Sequence, residues 1–535
     1  MVRTAVLALA FLALTAGEAQ VSATAAPGTR AFHVVVVPDL TLADLPELEE
    51  RGAIGLLVPG AGPETSEELA RAGLERGEAR NSLRGGGPAG ARLIQARTGA
   101  LGSAEGPAVY LGLPQGGKQA NDRRYPILVV GRGYEGLLTS ESTRIPGLVS
   151  VVDVAPTALG AEDALGWQPD EDAAAGLDAL DARIDANNSA RLWAVLLASA
   201  LLVGLALALP RATVPAFAAL LLANLLLGLA SVSAAWLVLL VLAVAVVAGG
   251  PLVASLRPPS VVLGWGLAAV LAAYLLALGL DGAAVALSPF GPTQNARFYG
   301  LSNLLETFLL VPALGAAALL GSRLGRTAFA GVAFLAFVTV AGSSFGADGG
   351  GAVVLAAGFV ALALLAAPNR KRALVLAPLA AVAAVALVLV ADLAAGTSSH
   401  VTRAVEDGPG ELARDLRDRI VLSYERITTD WYVALAVAIL FAAFAVLVGR
   451  TLSRRGLAEE TALPLALAVA AAASLVVNDS PLDVLLVGAV GYLAADRGML
   501  PARWPGRSRS RWSRLPSSWS QDAAAARPPR PSRKP

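Results

Sequence analysis

The residues best equipped for chemistry stand where polar side chains interrupt apolar sequence. "NARFYGLSNLLETFLL" (Asn295–Leu310) puts Arg297, Tyr299, Asn303 and Glu306 at the mouth of, and inside, a stretch apolar enough to cross a membrane. An ionisable residue in a membrane helix is costly and marks a functional site by default. Tyr299, Asn303 and Glu306 follow the i, i+4, i+7 spacing of one helical face. "AGSSFGADGGG" contributes Ser343, Ser344 and Asp348, with glycines that permit a broken or re-entrant backbone. "VVNDSPLD" contributes Asn478, Asp479 and Asp483, and "SSHVTR" contributes His400 and Arg403. Carboxylates and an imidazole suit general acid–base catalysis, and guanidinium groups suit phosphate. The expected catalytic residues are therefore Glu306, Asp348, Asp479 and His400. The expected substrate-binding residues are Arg297, Tyr299, Asn303, Arg403 and Asn478. Plainer roles exist for each: Asn303 and Glu306 suit interhelical hydrogen bonds, Arg297 suits headgroup anchoring, and His400 suits a solvated loop. Their grouping on one side of a membrane favours a shared polar cavity.

The chain contains no cysteine and two histidines, His33 and His400. Disulfides, zinc-thiolate sites and cysteine nucleophiles are excluded, so no metal and no cofactor is expected. Of the 535 residues, 55% are hydrophobic and only 16% charged, with mean hydropathy +0.62. That balance is too apolar for a soluble globular protein and fits a chain that crosses the membrane many times. The net charge of +1 gives no reason to expect a nucleic-acid partner.

The elements that must position these groups follow in order. Residues 1–26 resemble a secretory signal peptide: Arg3, a short apolar run from Ala5 to Leu14, then small residues near Ala23 and Ala26. An uncleaved first anchor is the alternative. Residues 31–166 hold short strand-like runs at Val34–Val37, Ile54–Val58, Val109–Leu113, Ile127–Val130 and Val149–Val152, with helix-like segments such as "SEELARAGLERGEA" between them. This alternation predicts an extracytoplasmic α/β domain with a largely parallel sheet. Residues 167–190 form a helical stalk, with Leu177, Leu180 and Ile184 on one stripe.

Residues 191–497 form the membrane domain. Apolar stretches at 192–209, 214–231, 234–249, 261–280, 301–321, 328–343, 350–367, 373–391, 431–449, 462–477 and 484–496 give about eleven spans. With the α/β domain outside, the inner loops carry Arg211, Arg257, Arg323, Arg326, "NRKR" at 369–372, Arg450, Arg454 and Arg455. The positive-inside rule therefore agrees with the signal sequence. The long outer loop at 392–430 includes an amphipathic stretch with Leu412, Leu416, Ile420, Tyr424 and Ile427 on one face. It suits the outer headgroup plane. Residues 498–535, rich in Arg, Pro and Ser, are expected to be a disordered, basic cytoplasmic tail.

"VVVVPDL", "PETSEEL", "RNSLRGG" and "GYEGLLTSESTRIPGLVSVVDVAPTAL" together resemble a shortened alkaline-phosphatase/sulfatase-superfamily domain. The likeness is to the version fused to polytopic membrane regions in high-GC Gram-positive bacteria, and "NARFYGLSN", "GADGGG" and "NDS" are similar to motifs of that membrane family. The resemblance implies a metal-binding role for Asp39 and a nucleophile at Thr65 or Ser66. Active relatives carry several Asp and His ligands, whereas this domain has only His33 and reads "VVGRGYEG" where a His belongs. The resemblance thus implies a pseudoenzyme domain that binds or positions something.

Three functions fit this plasma-membrane chain. The first is an envelope enzyme acting on a lipid-linked glycan or phosphorylated intermediate at the outer surface. The second is a transporter or flippase of an envelope precursor. The third is a non-catalytic scaffold for envelope-biogenesis proteins. Membrane lipid is a partner in all three.

Overall fold

The computed structural model describes residues 32–58, 96–113, 123–140, 142–158, 164–292, 298–367, 370–394, 430–478 and 480–498, with isolated positions between 417 and 428. Two bodies result: a mixed β-sheet near the N-terminus and a large helical bundle.

The sheet strands are β1 (His33–Val36), β2 (Ala53–Val58), β3 (Ala96–Thr98), β4 (Ala108–Leu111), β5 (Tyr125–Val130), β6 (Gly136–Thr139), β7 (Leu148–Ser150) and β8 (Gly166–Gln168). They lie in the order β3-β1-β4-β5-β2-β6-β8, with β7 also pairing β2. Each of the five apolar runs expected as strands contains one, although Val151 and Val152 of the last run already belong to the following helix. The sheet is mixed rather than largely parallel: β5 runs antiparallel to both β4 and β2, and β8 antiparallel to β6. β1 and β2 are apolar at almost every position because both faces are covered. One face packs beneath α2 (Val151–Ala158), which follows the short α1 (Leu45–Glu49), through Phe32, Val149, Val154 and Ala158. The other face meets Leu177 and Ile184 of the next helix and then Leu287 and Phe298 of the bundle. One apolar core therefore joins the sheet to the bundle. Each such buried side chain contributes roughly 1.5–3 kcal/mol relative to exposure.

That next helix, α3 (Ala173–Ala208), is one rod of 36 residues. At 1.5 Å per residue it is about 54 Å long, far more than the roughly 30 Å of a hydrocarbon core. The expected stalk and first span are thus two halves of a single helix. Arg124, buried under the sheet, fixes the upper half by binding Asp181 at 2.6 Å and Asp185 at 2.6 Å. Burial alone would weaken its hold on its proton, but the two carboxylates outweigh that and raise it.

The bundle continues with α4 (Pro210–Leu229), α5 (Ala235–Ser255, with a π-helical turn at Ala245–Gly249), α6 (Ser260–Leu280), the short α7 (Gly282–Ala286), α8 (Asn303–Leu324), α9 (Arg326–Ala341), α10 (Gly349–Ala366), α11 (Arg370–Ala394), α12 (Trp431–Arg455), α13 (Ala462–Val477) and α14 (Pro481–Gly498). All eleven apolar stretches coincide with helices. Seven of these helices, α3, α4, α5, α6, α8, α10 and α12, are long and apolar enough to cross a membrane, while α9 and α13 are shorter apolar helices. The apolar stretch of α8 is wholly buried, which makes it the axis of the bundle, whereas that of α12 is almost wholly exposed. The expected signal segment 1–26, the expected "SEELARAGLERGEA" helix, nearly all of residues 395–429 in the expected outer loop and residues 499–535 of the expected tail lie outside the described residues.

Candidate functional site

The site grows from three helix ends. α8 begins at Asn303 because Ser302 caps it: the Ser302 hydroxyl accepts from Leu305 N at 3.0 Å and donates to Phe290 O. Tyr299 therefore precedes the helix, and the expected single face of Tyr299, Asn303 and Glu306 does not exist. The cap intervenes. Glu306 instead occupies the first turn of α8, where a negative charge suits the helix dipole. α10 is capped by Asp348, whose Oδ1 accepts from Gly351 N at 3.1 Å. α13 ends at Asn478, whose amide donates to Ser474 Oγ at 2.7 Å.

These three ends converge. The Asn478 Nδ2 donates to Glu306 Oε2 at 3.0 Å. Glycines let the carboxylates approach: a Cβ on Gly351 would lie 3.2 Å from the Glu306 carboxyl carbon, 3.3 Å from that of Asp348 and 2.5 Å from Val340 Cγ1. The two carboxyl carbons are therefore no further apart than those first two lengths laid end to end. A Cβ on Gly350 would lie 2.7 Å from Asn478 Oδ1. Glu306 is 1% exposed, Asp348 2% and Asn478 0%. Asp348 Oδ2 is buried and accepts no hydrogen bond from the described residues. Glu306 thus faces the protein interior rather than lipid. Two buried carboxyl groups at this range, one of them bonded by an amide, can hold or exchange a proton.

A roof covers the cluster. Leu301 N donates to Gly346 O at 3.0 Å, tying the irregular residues just before α8 to the turn before α10. Arg144, between β6 and β7, donates to Ser343 O at 2.8 Å and stacks on the Tyr299 ring with 4.3 Å from its Cζ to the ring centre. Tyr299 and Ser343 are both buried. Sequence reasoning gave no role to Arg144, although it sits in "STRIPG" within the quoted stretch "GYEGLLTSESTRIPGLVSVVDVAPTAL". It also passed over two residues at the middle of α3: Asn187 donates to Leu287 O and Arg191 to Gly291 O, each at 2.7 Å. Deeper support comes from Asn224, which donates to Tyr274 OH and Ser288 Oγ at 3.0 Å and accepts from Phe290 N at 3.0 Å. That network anchors the irregular segment leading toward Tyr299.

Of the expected site residues, Glu306, Asp348 and Asn478 come together, and Tyr299 forms part of the roof. Asn303 opens α8, half-buried, its carbonyl accepting from Thr307 Oγ1 at 2.7 Å. Arg297, Asp479, His400 and Arg403 lie outside the described residues. In the sheet, Asp39 is exposed in the turn after β1, His33 is exposed on β1, and Thr65 and Ser66 lie outside the described residues. Among the described residues no group of three or more His, Cys, Asp or Glu side chains is placed to hold a metal ion. At the far end of the bundle, Arg455 binds Asp496 at 3.1 Å and Arg323 donates to Ser260.

Fold and site together define a helical membrane protein with a small mixed-sheet domain seated on one end. No family model, curated protein or solved structure matches the chain.

Proposed function

We propose that the chain is a cell-envelope enzyme of the plasma membrane, acting on a lipid-linked or phosphorylated intermediate at the outer face. The observation that carries this reading is the meeting of Glu306, Asp348 and Asn478 directly beneath the sheet domain. Its orientation rests on charge: Arg211, Arg257, Arg323, Arg326, Arg454 and Arg455 lie at the bundle end away from the sheet, which favours that end as cytoplasmic. The sheet domain is then extracytoplasmic, preceded by a signal sequence. In its role it positions the site rather than hydrolysing phosphate esters, consistent with a degenerate phosphatase-like domain.

At the site, Asn478 holds Glu306 Oε2 as an acceptor, and Gly351 N–H fixes one oxygen of Asp348 while leaving Oδ2 to face a reacting hydroxyl. One carboxyl group takes up a proton while the other releases one. Movement of the same intermediate across the membrane is the second reading, favoured by the burial of the cluster at breaks between helices.

The test is native mass spectrometry of the purified protein in nanodiscs after incubation with a total envelope lipid extract. A phosphorylated lipid retained by the parent and converted to a new mass supports the enzyme. Retention without conversion supports transport. Binding and conversion that both survive unchanged in Glu306→Gln and Asp348→Asn contradict the enzyme, and retention that survives unchanged in both contradicts transport through this site.

A further inference from the structure

The cluster is sealed, so whatever it acts on must first be admitted. We propose that Arg144 is the latch through which the sheet domain closes this site, and that access to Glu306, Asp348 and Asn478 requires its contacts to break. The inference rests on the cluster being the working site, and it adds how that site is opened.

Arg144 alone of the sheet-domain side chains named above grips both segments that carry the carboxylates. Its bond to Ser343 O holds the turn that runs into Asp348, and its stacking on Tyr299 holds the segment that runs into Glu306. The two segments are themselves joined by Leu301 N and Gly346 O. One guanidinium therefore staples the roof to the sheet. Phe298, next to Tyr299, shares the sheet's apolar core on the roof side, whereas the domain's other attachments fall elsewhere: Asn187 and Arg191 bond the segment around Leu287 and Gly291, and Leu177 and Ile184 pack beside Leu287. Those attachments can serve as the hinge while the Arg144 corner lifts.

The backbone on each side of the contact is strained. Arg144 has φ 55° and Ala347 φ 49°, left-handed conformations that residues with a Cβ rarely adopt. Strain of this kind persists only where surrounding structure enforces it, and it gathers at clamps and switch segments. Planar stacking and a directed N–H bond are properties of arginine that lysine reproduces poorly.

Because the native chain has no cysteine, a single engineered thiol reports directly on opening. Ser343→Cys keeps the carbonyl that Arg144 holds. Full-length protein in lipid nanodiscs is treated with a membrane-impermeant maleimide, with Ser199→Cys, buried in α3, as the control for general loosening. Slow labelling is expected at Ser343→Cys alone. Adding Arg144→Ala, or separately Tyr299→Leu, should speed it about tenfold or more, the loss of a charged hydrogen bond or of a cation–π contact. Arg144→Lys should fall between, and Ser199→Cys should stay unreactive throughout. The latch is overturned if both Arg144→Ala and Tyr299→Leu leave Ser343→Cys as protected as before. It is equally overturned if they expose Ser199→Cys to the same degree. Labelling needs no turnover, so failure of the proposed chemistry would appear separately, as unchanged lipid handling in Glu306→Gln with the latch intact.

Discussion

Gly351→Ala probes the convergence of the three helix ends most sharply. Replacing glycine by alanine inside a helix ordinarily stabilises by about 1 kcal/mol. At Gly351 the new methyl would stand 2.5 Å from Val340 Cγ1, well inside the roughly 3.5–4.0 Å of carbon–carbon contact. It would also press on the Glu306 and Asp348 carboxyl carbons at 3.2 and 3.3 Å. Overpacking of this kind costs about 1–3 kcal/mol, so the net change should be a loss of about 1 kcal/mol. Gly266, exposed on α6, is the internal reference: a Cβ there meets nothing within 4 Å. Gly266→Ala should therefore stabilise by roughly 0.5–1 kcal/mol. Denaturant titration in mixed micelles, followed by tryptophan fluorescence, should separate the two variants by about 2 kcal/mol. The double variant Val340→Ala/Gly351→Ala should show favourable coupling, because the worst contact is removed. If Gly351→Ala proves as stable as Gly266→Ala, or if Val340→Ala gives no coupling, Gly351 is not crowded as described and the packing around the site is wrong.

Glu306→Gln should keep the hydrogen bond from Asn478 as a neutral one, moving it from about 1.5–3 to about 0.5–1.5 kcal/mol and leaving the fold intact. Glu306→Ala should destabilise by several kcal/mol more, since it opens a buried cavity and strands the Asn478 amide; melting curves of the two variants decide this. Arg124→Met should loosen the sheet from α3 by about 1–3 kcal/mol, less than a fully buried pair because Asp185 is 64% exposed; proteolysis near the stalk is the readout. Burial pushes the Tyr134 hydroxyl up, with Arg132 partly opposing it. A raised folded-state value means its stabilising effect is fully present below about pH 10 and is lost as pH rises through the raised value. Ultraviolet titration should show a late-ionising phenol that Tyr134→Phe removes.

Helices were legible in the sequence because a run of Ala, Leu and Val long enough to span lipid has few other solutions, and every apolar stretch from 192 to 496 lies on one. Strand direction was not. β5 looks like any other apolar run, and its antiparallel pairing with β2 and β4 depends on connections that periodicity does not encode. Glu306, Asp348 and Asn478 announced themselves as polar groups beside apolar sequence. Their meeting could not be read from spacing, because 172 residues separate Glu306 from Asn478 and only the packing of α8 against α13 brings them together. Tyr299 was misread as helical because its spacing to Asn303 is helical, while the Ser302 cap that starts α8 later is a hydrogen-bonding event. Arg144 lies within a quoted motif but was given no role there: its partner is a backbone carbonyl about two hundred residues away, a contact created by docking the sheet.

The central claim is that Glu306 and its neighbours form the working site for a lipid-linked or phosphorylated envelope intermediate. The most direct measurement is a quantitative profile of phosphorylated lipids from cells in which Glu306→Gln replaces the parent protein at equal abundance. The account predicts accumulation of one such species, matching that in cells lacking the protein. A Glu306→Gln profile indistinguishable from the parent's, alongside a changed profile in cells lacking the protein, would contradict it.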